Sequence, residues 1–137
     1  MSGPSLHKLN AHRSIHDGTI TEGRDLMGVL MRVYTEKQEK HAMIAANALV
    51  EHWETRTIAH ASSEEEGFYV RILEENPDLF ETIVMLKRDH DLIRILVNEI
   101  KETLKVTSVN EDIIDRFKAI YVLVQLHSRD EESLLLN

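Results

Sequence analysis

His60-Ala61-Ser62-Ser63-Glu64 and His127-Ser128-Arg129-Asp130-Glu131 are two copies of one pattern, His-x-x-x-Glu. On an α-helix, residues four apart stand one above the other on the same face. The histidine and carboxylate of each copy therefore converge on one point beside the helix. Two such pairs on facing helices, joined by a lone histidine from each remaining helix, enclose a pocket of imidazoles and bridging carboxylates. Non-haem iron favours that donor set. His16 and His90 stand where the two lone histidines are needed. One His-x-x-x-Glu alone is more often a surface ion pair. Two copies with partners point to metal.

The apolar spacing around these residues is helical. Leu26, Met27, Val29, Leu30 and Val33 form a stripe on a first helix from about 15 to 34, although Gly18, Gly23 and Gly28 weaken it. Residues 1–13 are polar and are expected to be loose. Thr35 to Lys40 (TEKQEK) is wholly polar. From His41 the pattern is helical through Leu73, with Ile44, Ala48, Leu49, Ile58, Phe68 and Ile72 among its apolar positions. Asn76-Pro77 ends that helix and starts the next. A third helix is expected from about 78 to 105. Ser108-x-x-Glu111 resembles a capping box before a fourth, from about 111 to 135. Short connections between long amphipathic helices predict an all-α fold, an antiparallel up-down-up-down four-helix bundle. The division expected is a loose 1–13 and a bundle over 14–137.

A geometric check supports the pocket. In an antiparallel hairpin, residues equally far from the turn lie at one height. Glu64 lies 12 residues before Asn76, and His90 lies 13 after Pro77. The mismatch is about one residue, or ~1.5 Å. His90 lies 15 before the end of helix 3, and His127 lies 16 after Glu111. The midpoint of His16 and His60 is residue 38, inside TEKQEK, which argues that TEKQEK is a turn. His52 lies roughly 12 Å along the helix from His60 and should not reach the same metals.

Composition narrows the alternatives. The chain has 137 residues, one domain by size, and a formal net charge of −8. Such an acidic chain is a poor candidate for nucleic acid or an anionic membrane. The absence of cysteine excludes disulfides, thiol catalysis and iron–sulfur or zinc–thiolate sites. Met1-Ser2-Gly3-Pro4-Ser5 lacks a signal-peptide core, and no apolar run reaches ~18 residues, so a cytoplasmic location is expected. Eight histidines are the compositional oddity. His7, His12 and His41 read as surface groups, and Met27, Met31, Met43 and Met85 as core filling. Tyr69 and Tyr121 read as core or boundary aromatics. No Glu-x-x-His occurs, which weakens a ferritin-type site.

The residues now assembled resemble the hemerythrin-like, or HHE cation-binding, family. Its pattern is a lone histidine on helix 1, His-x-x-x-Glu on helix 2, a lone histidine on helix 3 and His-x-x-x-Glu on helix 4. The matches are His16, His60 with Glu64, His90, and His127 with Glu131. HASSEEEGFY, DHDLIR and HSRDEESLLL resemble the family's flanking segments. The resemblance implies these six residues as metal ligands. It also implies two non-haem iron ions bridged by carboxylates and an oxo or hydroxo group, with zinc a less favoured occupant. His12 lies one turn before His16 and offers itself in its place, and His41 or His52 offers a fifth imidazole.

Two departures separate the chain from oxygen carriers. Those place a second histidine one turn after the helix-3 histidine, where Arg94 stands here; Leu86 occupies the turn before. They also space the helix-4 pair one residue wider, which here would bring in Glu132. The chain is closer to relatives tied to iron sensing, nitrosative-stress repair of iron centres, or redox sensing. The expected function is sensing or handling of oxygen, nitric oxide, peroxide or iron rather than bulk oxygen carriage. The alternatives are an enzyme with peroxidase-like or ferroxidase-like activity, and a metal-free helical adaptor. No catalytic residue is assigned. The unbroken run from 41 to 75 also permits exchange of helix 1 between two chains, hence a homodimer.

Overall fold

The computed structural model describes residues 4–136, and no strand is present among them. Four long helices account for the fold. The first, α1, spans Pro4–Thr35. The second, α2, covers 39–75 and is composite. It is α-helical over Glu39–His52, π-helical over Trp53–Ile58 and α-helical over Ala59–Ser63. It is again π-helical over Glu64–Phe68 and α-helical over Tyr69–Glu75. A 3₁₀ turn, Pro77–Leu79, leads into α3, Phe80–Leu104, and α4 spans Glu111–Leu135. Together they form an all-helical bundle.

The start of α1 differs from the sequence expectation. Residues 4–13 are helical where a loose segment was predicted. The stretch is polar, but Leu9 is buried and His12 half-buried, so tertiary contacts hold it where local patterning is weak.

TEKQEK does turn, over 36–38. The Gln38 amide donates to the Val33 carbonyl at 2.9 Å and the Lys37 amide to Tyr34 at 3.0 Å. Lys37 adopts φ 59°, the left-handed conformation that commonly ends a helix. At the start of α4 the capping residue is Asn110, not Ser108: its side chain accepts from the Ile113 amide at 3.0 Å. Asn76 likewise accepts from the Asp78 amide.

Two apolar clusters form the core. The larger draws Leu30, Leu49, Trp53, Ile93, Ile100, Ile113 and Phe117 from all four helices. The smaller contains Phe68, Tyr69, Ile83 and Leu86. Along α2, α3 and α4, the histidines and glutamates of the predicted pocket fall between members of the two clusters. A polar layer is thus clamped between apolar ends. Ile44 and Met85 are not core residues; both are well exposed. No helix is long and apolar enough to cross a membrane among the described residues.

Candidate metal centre

Each helix brings its residues to the polar layer through helical spacing. α1 carries His12 and His16 one turn apart. α2 carries His60 and Glu64, with Tyr69 one turn further. α3 carries His90, and α4 carries His127 and Glu131. The His60–Glu64 turn lies against both π-helical stretches of α2. Such insertions are frequent at functional sites because they re-aim side chains without ending the helix.

These groups form two clusters that share a carboxylate: His12, His16, His60 and Glu131, and Glu64, His90, His127 and Glu131. Within each, one donor atom per residue lies within 4.8 Å of all the others. A cation about 2.1 Å from each donor would leave opposite donors about 4.2 Å apart. Both carboxylates span the clusters. Glu131 Oε1 lies 3.3 Å from His12 Nδ1 and 3.3 Å from His16 Nε2, while its Oε2 lies 3.5 Å from His127 Nε2. Glu64 Oε2 lies 3.5 Å from His60 Nε2, and its Oε1 lies 3.4 Å from His90 Nε2.

The outer nitrogens fix the tautomers. His16 Nδ1 faces Glu132 at 2.7 Å, His90 Nδ1 faces Glu65 at 2.6 Å, and His127 Nδ1 faces Asp89 at 2.9 Å. An ionised carboxylate only accepts, so each Nδ1 carries the proton and donates it. Each Nε2 then faces inward, the atom a metal would take in place of a proton. Arg94 steadies one of these carboxylates: it donates to both oxygens of Glu65, at 3.0 and 3.2 Å, and to Ser62.

The chain alone leaves this layer unsatisfied. His12 Nδ1, His60 Nε2, Glu64 Oε2 and Glu131 Oε1 are buried and have no hydrogen-bond partner. His90 Nε2 and His127 Nε2 face each other at 3.0 Å, two lone pairs that need a proton or a cation between them. Orphaned buried polar atoms are rare because each carries an uncompensated desolvation cost. A pair of cations in the two clusters would satisfy all of them. The donor set of imidazole and carboxylate therefore fits iron.

Titration reports the same electrostatics. Burial opposes the charged form of His127, but the hydrogen bonds to Asp89 and Glu131 outweigh it and raise the imidazole to about 9. His16 is raised similarly, its burial outweighed by Glu131 and Glu132. His60 is raised chiefly by Glu64. Burial works against the Glu131 carboxylate, yet the surrounding histidines hold it well below the usual range. Tyr69 is held neutral far above its ordinary range, by burial first and the nearby glutamates second. Its hydroxyl is thus a fixed donor, and it donates to Glu131 Oε2 at 2.5 Å.

The family model of the hemerythrin HHE cation-binding domain matches residues 21–137. The chain belongs to that family. No curated protein and no solved structure matches it. The matched stretch of this hemerythrin domain starts after His12 and His16, so the first-helix residues rest on their geometry alone.

All six residues singled out in the sequence, His16, His60, Glu64, His90, His127 and Glu131, meet in the layer. His12 was expected at the surface instead. It joins the layer beside His16 rather than replacing it. The signal for it was its place one helical turn before His16. Tyr69 was expected to be ordinary packing; it stacks on the His90 ring, with centroids 5.6 Å apart, and holds Glu131. His52 is kept out, as its distance along the helix requires. It packs on Trp53, with Nε2 2.9 Å from the Thr19 carbonyl. His41 is exposed at the far turn.

Proposed function

We propose that this hemerythrin domain is an antiparallel up-down-up-down bundle that binds two non-haem irons and senses or handles oxygen, nitric oxide, peroxide or iron. The residues that would hold the metals are His12, His16, His60, Glu64, His90, His127 and Glu131, with Glu131 common to both clusters. The observation that carries the reading is the set of buried, partnerless donor atoms converging on the two clusters. The antiparallel order is supported by the short connections and by the meeting of residues equidistant from them. The folded domain takes in α1 back to His12, so it begins before residue 14.

Bound ferrous ions would supply electrons and a coordination position for a small oxidant. The chain's own residues do the rest. The outer carboxylates Glu65, Asp89 and Glu132 hold the imidazoles with Nδ1 outward and Nε2 turned toward the two clusters. Tyr69 pins one oxygen of Glu131, and the two apolar clusters exclude bulk water.

The test is elemental analysis after anaerobic loading with ferrous iron, with absorption spectra before and after air. Close to two irons per chain and new ferric bands in air are expected. The double variant His60→Ala, Glu131→Ala should retain neither metal. Two irons held by that variant would overturn the assignment.

A further inference from the structure

We propose that the outer face of α4 is a docking surface for a second copy of this chain, with the two α4 helices lying antiparallel about a two-fold axis at Val122. The surface is separate from the metal layer and does not depend on it.

α4 turns Ile113, Ile120, Val124 and Glu131 inward, where all are buried. The opposite side of a helix with no further partner is ordinarily polar. Here Ala119, Val122 and Leu126 lie along it and are exposed, Val122 at 52% and Leu126 at 42%. With the half-buried Leu123 and Leu96 of α3 they line an open groove of about 500 Å³, and Lys118 stands at its edge. The stripe runs on to Asp115 at one end and Arg129 at the other, both exposed. Arg129 donates to the adjacent Asp130, a solvent-exposed contact that costs little to share.

The spacing along this face is that of a helix pair. Residues 115, 119, 122, 126 and 129 step by four, three, four and three, the seven-residue repeat of a seam between two helices. Asp115 and Arg129 each lie seven residues from Val122, or about 10 Å along the axis. A second α4 laid antiparallel about Val122 sets Asp115 against the partner's Arg129, and Arg129 against the partner's Asp115. It also brings Ala119 level with the partner's Leu126 to within one residue, a small side chain facing a large one. A parallel pair would oppose like charges at both ends. The order acidic, apolar, basic is thus complementary to itself reversed, which selects a second copy of the chain as the occupant.

Sedimentation equilibrium of the full chain tests the pairing, with circular dichroism as the check on folding. Wild type should form a reversible dimer. Val122→Glu, which sets two carboxylates together at the axis, should be a monomer of unchanged helicity. Asp115→Arg and Arg129→Asp should each dimerise about tenfold more weakly alone, because attraction at both ends becomes repulsion. Mixed one to one, those two variants should pair with each other as tightly as wild type, since both ends again carry opposite charges. A wild type that stays monomeric would overturn the proposal. A dimer that survives Val122→Glu would overturn it too, by putting the interface on another face. A mixture no tighter than its separate members would refute the antiparallel register.

Discussion

Tyr69 shows how much one side chain decides at this centre. Its hydroxyl is a fixed donor to a fully buried carboxylate oxygen, and its ring lies flat on His90. Tyr69→Phe keeps the ring and deletes the donor. Hydrogen bonds to charged groups contribute about 1.5–3 kcal/mol, so the metal-free variant should unfold in urea with a loss of that order. Iron content should be unchanged, since Tyr69 is not a donor to either cluster; a variant that lost iron would place Tyr69 among the ligands. The histidines make a second residue-scale expectation. His127 is raised to about 9 in the metal-free fold, and His16 and His60 are raised as well. A raised folded value means the charged form stabilises the fold. That stabilisation is fully present below about 6.5, the ordinary histidine value, and is lost as pH rises through about 9. Glu131 and Glu65 are lowered and stay ionised throughout this window. The denaturation midpoint of metal-free protein should therefore fall between pH 6 and 9.5. Iron replaces the same protons, so loading should release protons in that window. A midpoint that rose instead would refute the charge assignment.

At the scale of the element, three glycines that look alike in sequence behave differently. Gly23 faces α2: a Cβ there would lie 2.5 Å from Trp53 Cη2, whose ring is fully buried. Gly18 and Gly28 have nothing within 4 Å of an added Cβ. Gly28→Ala should stabilise the protein by about 0.5–1 kcal/mol through helix propensity. Gly23→Ala should destabilise it by about 1–3 kcal/mol, because the overpacked Trp53 must move. Thermal melts of the two variants decide the matter: equal shifts of one sign would mean that α1 does not approach α2 so closely. Helix ends carry the same lesson. The polarity of TEKQEK marked the turn, yet only the fold places Lys37 in the left-handed conformation and gives the α4 cap to Asn110.

For the whole molecule, the proposed metal binding should be coupled to the fold. The polar layer lies between two apolar clusters and leaves several buried donors unpaired. A ligand that binds only the folded state stabilises it by about 2.7 kcal/mol when present at a hundredfold excess over its Kd. Iron-loaded protein should melt well above the chelated form, and re-addition of iron should restore the difference. Identical melting curves would show that the layer folds without using metal. Much of this was legible in the sequence. Helical periodicity is local, so the four helices and most of their bounds follow from apolar spacing. A His-x-x-x-Glu repeat fixes a shared face, and equal distances from the turns place His16, His60, Glu64, His90, His127 and Glu131 at one height. What sequence could not decide depends on which neighbour a side chain meets. His12, in a polar stretch with weak patterning, becomes a member of the layer only because α1 continues to Pro4 and packs there. Tyr69 reaches Glu131, and Arg94 turns to Glu65, through contacts between helices far apart in the chain. The π-helical stretches on either side of the His60–Glu64 turn are likewise a tertiary outcome. Spacing along one helix is dictated by backbone geometry; the partner across the bundle is dictated by packing, which no single segment encodes.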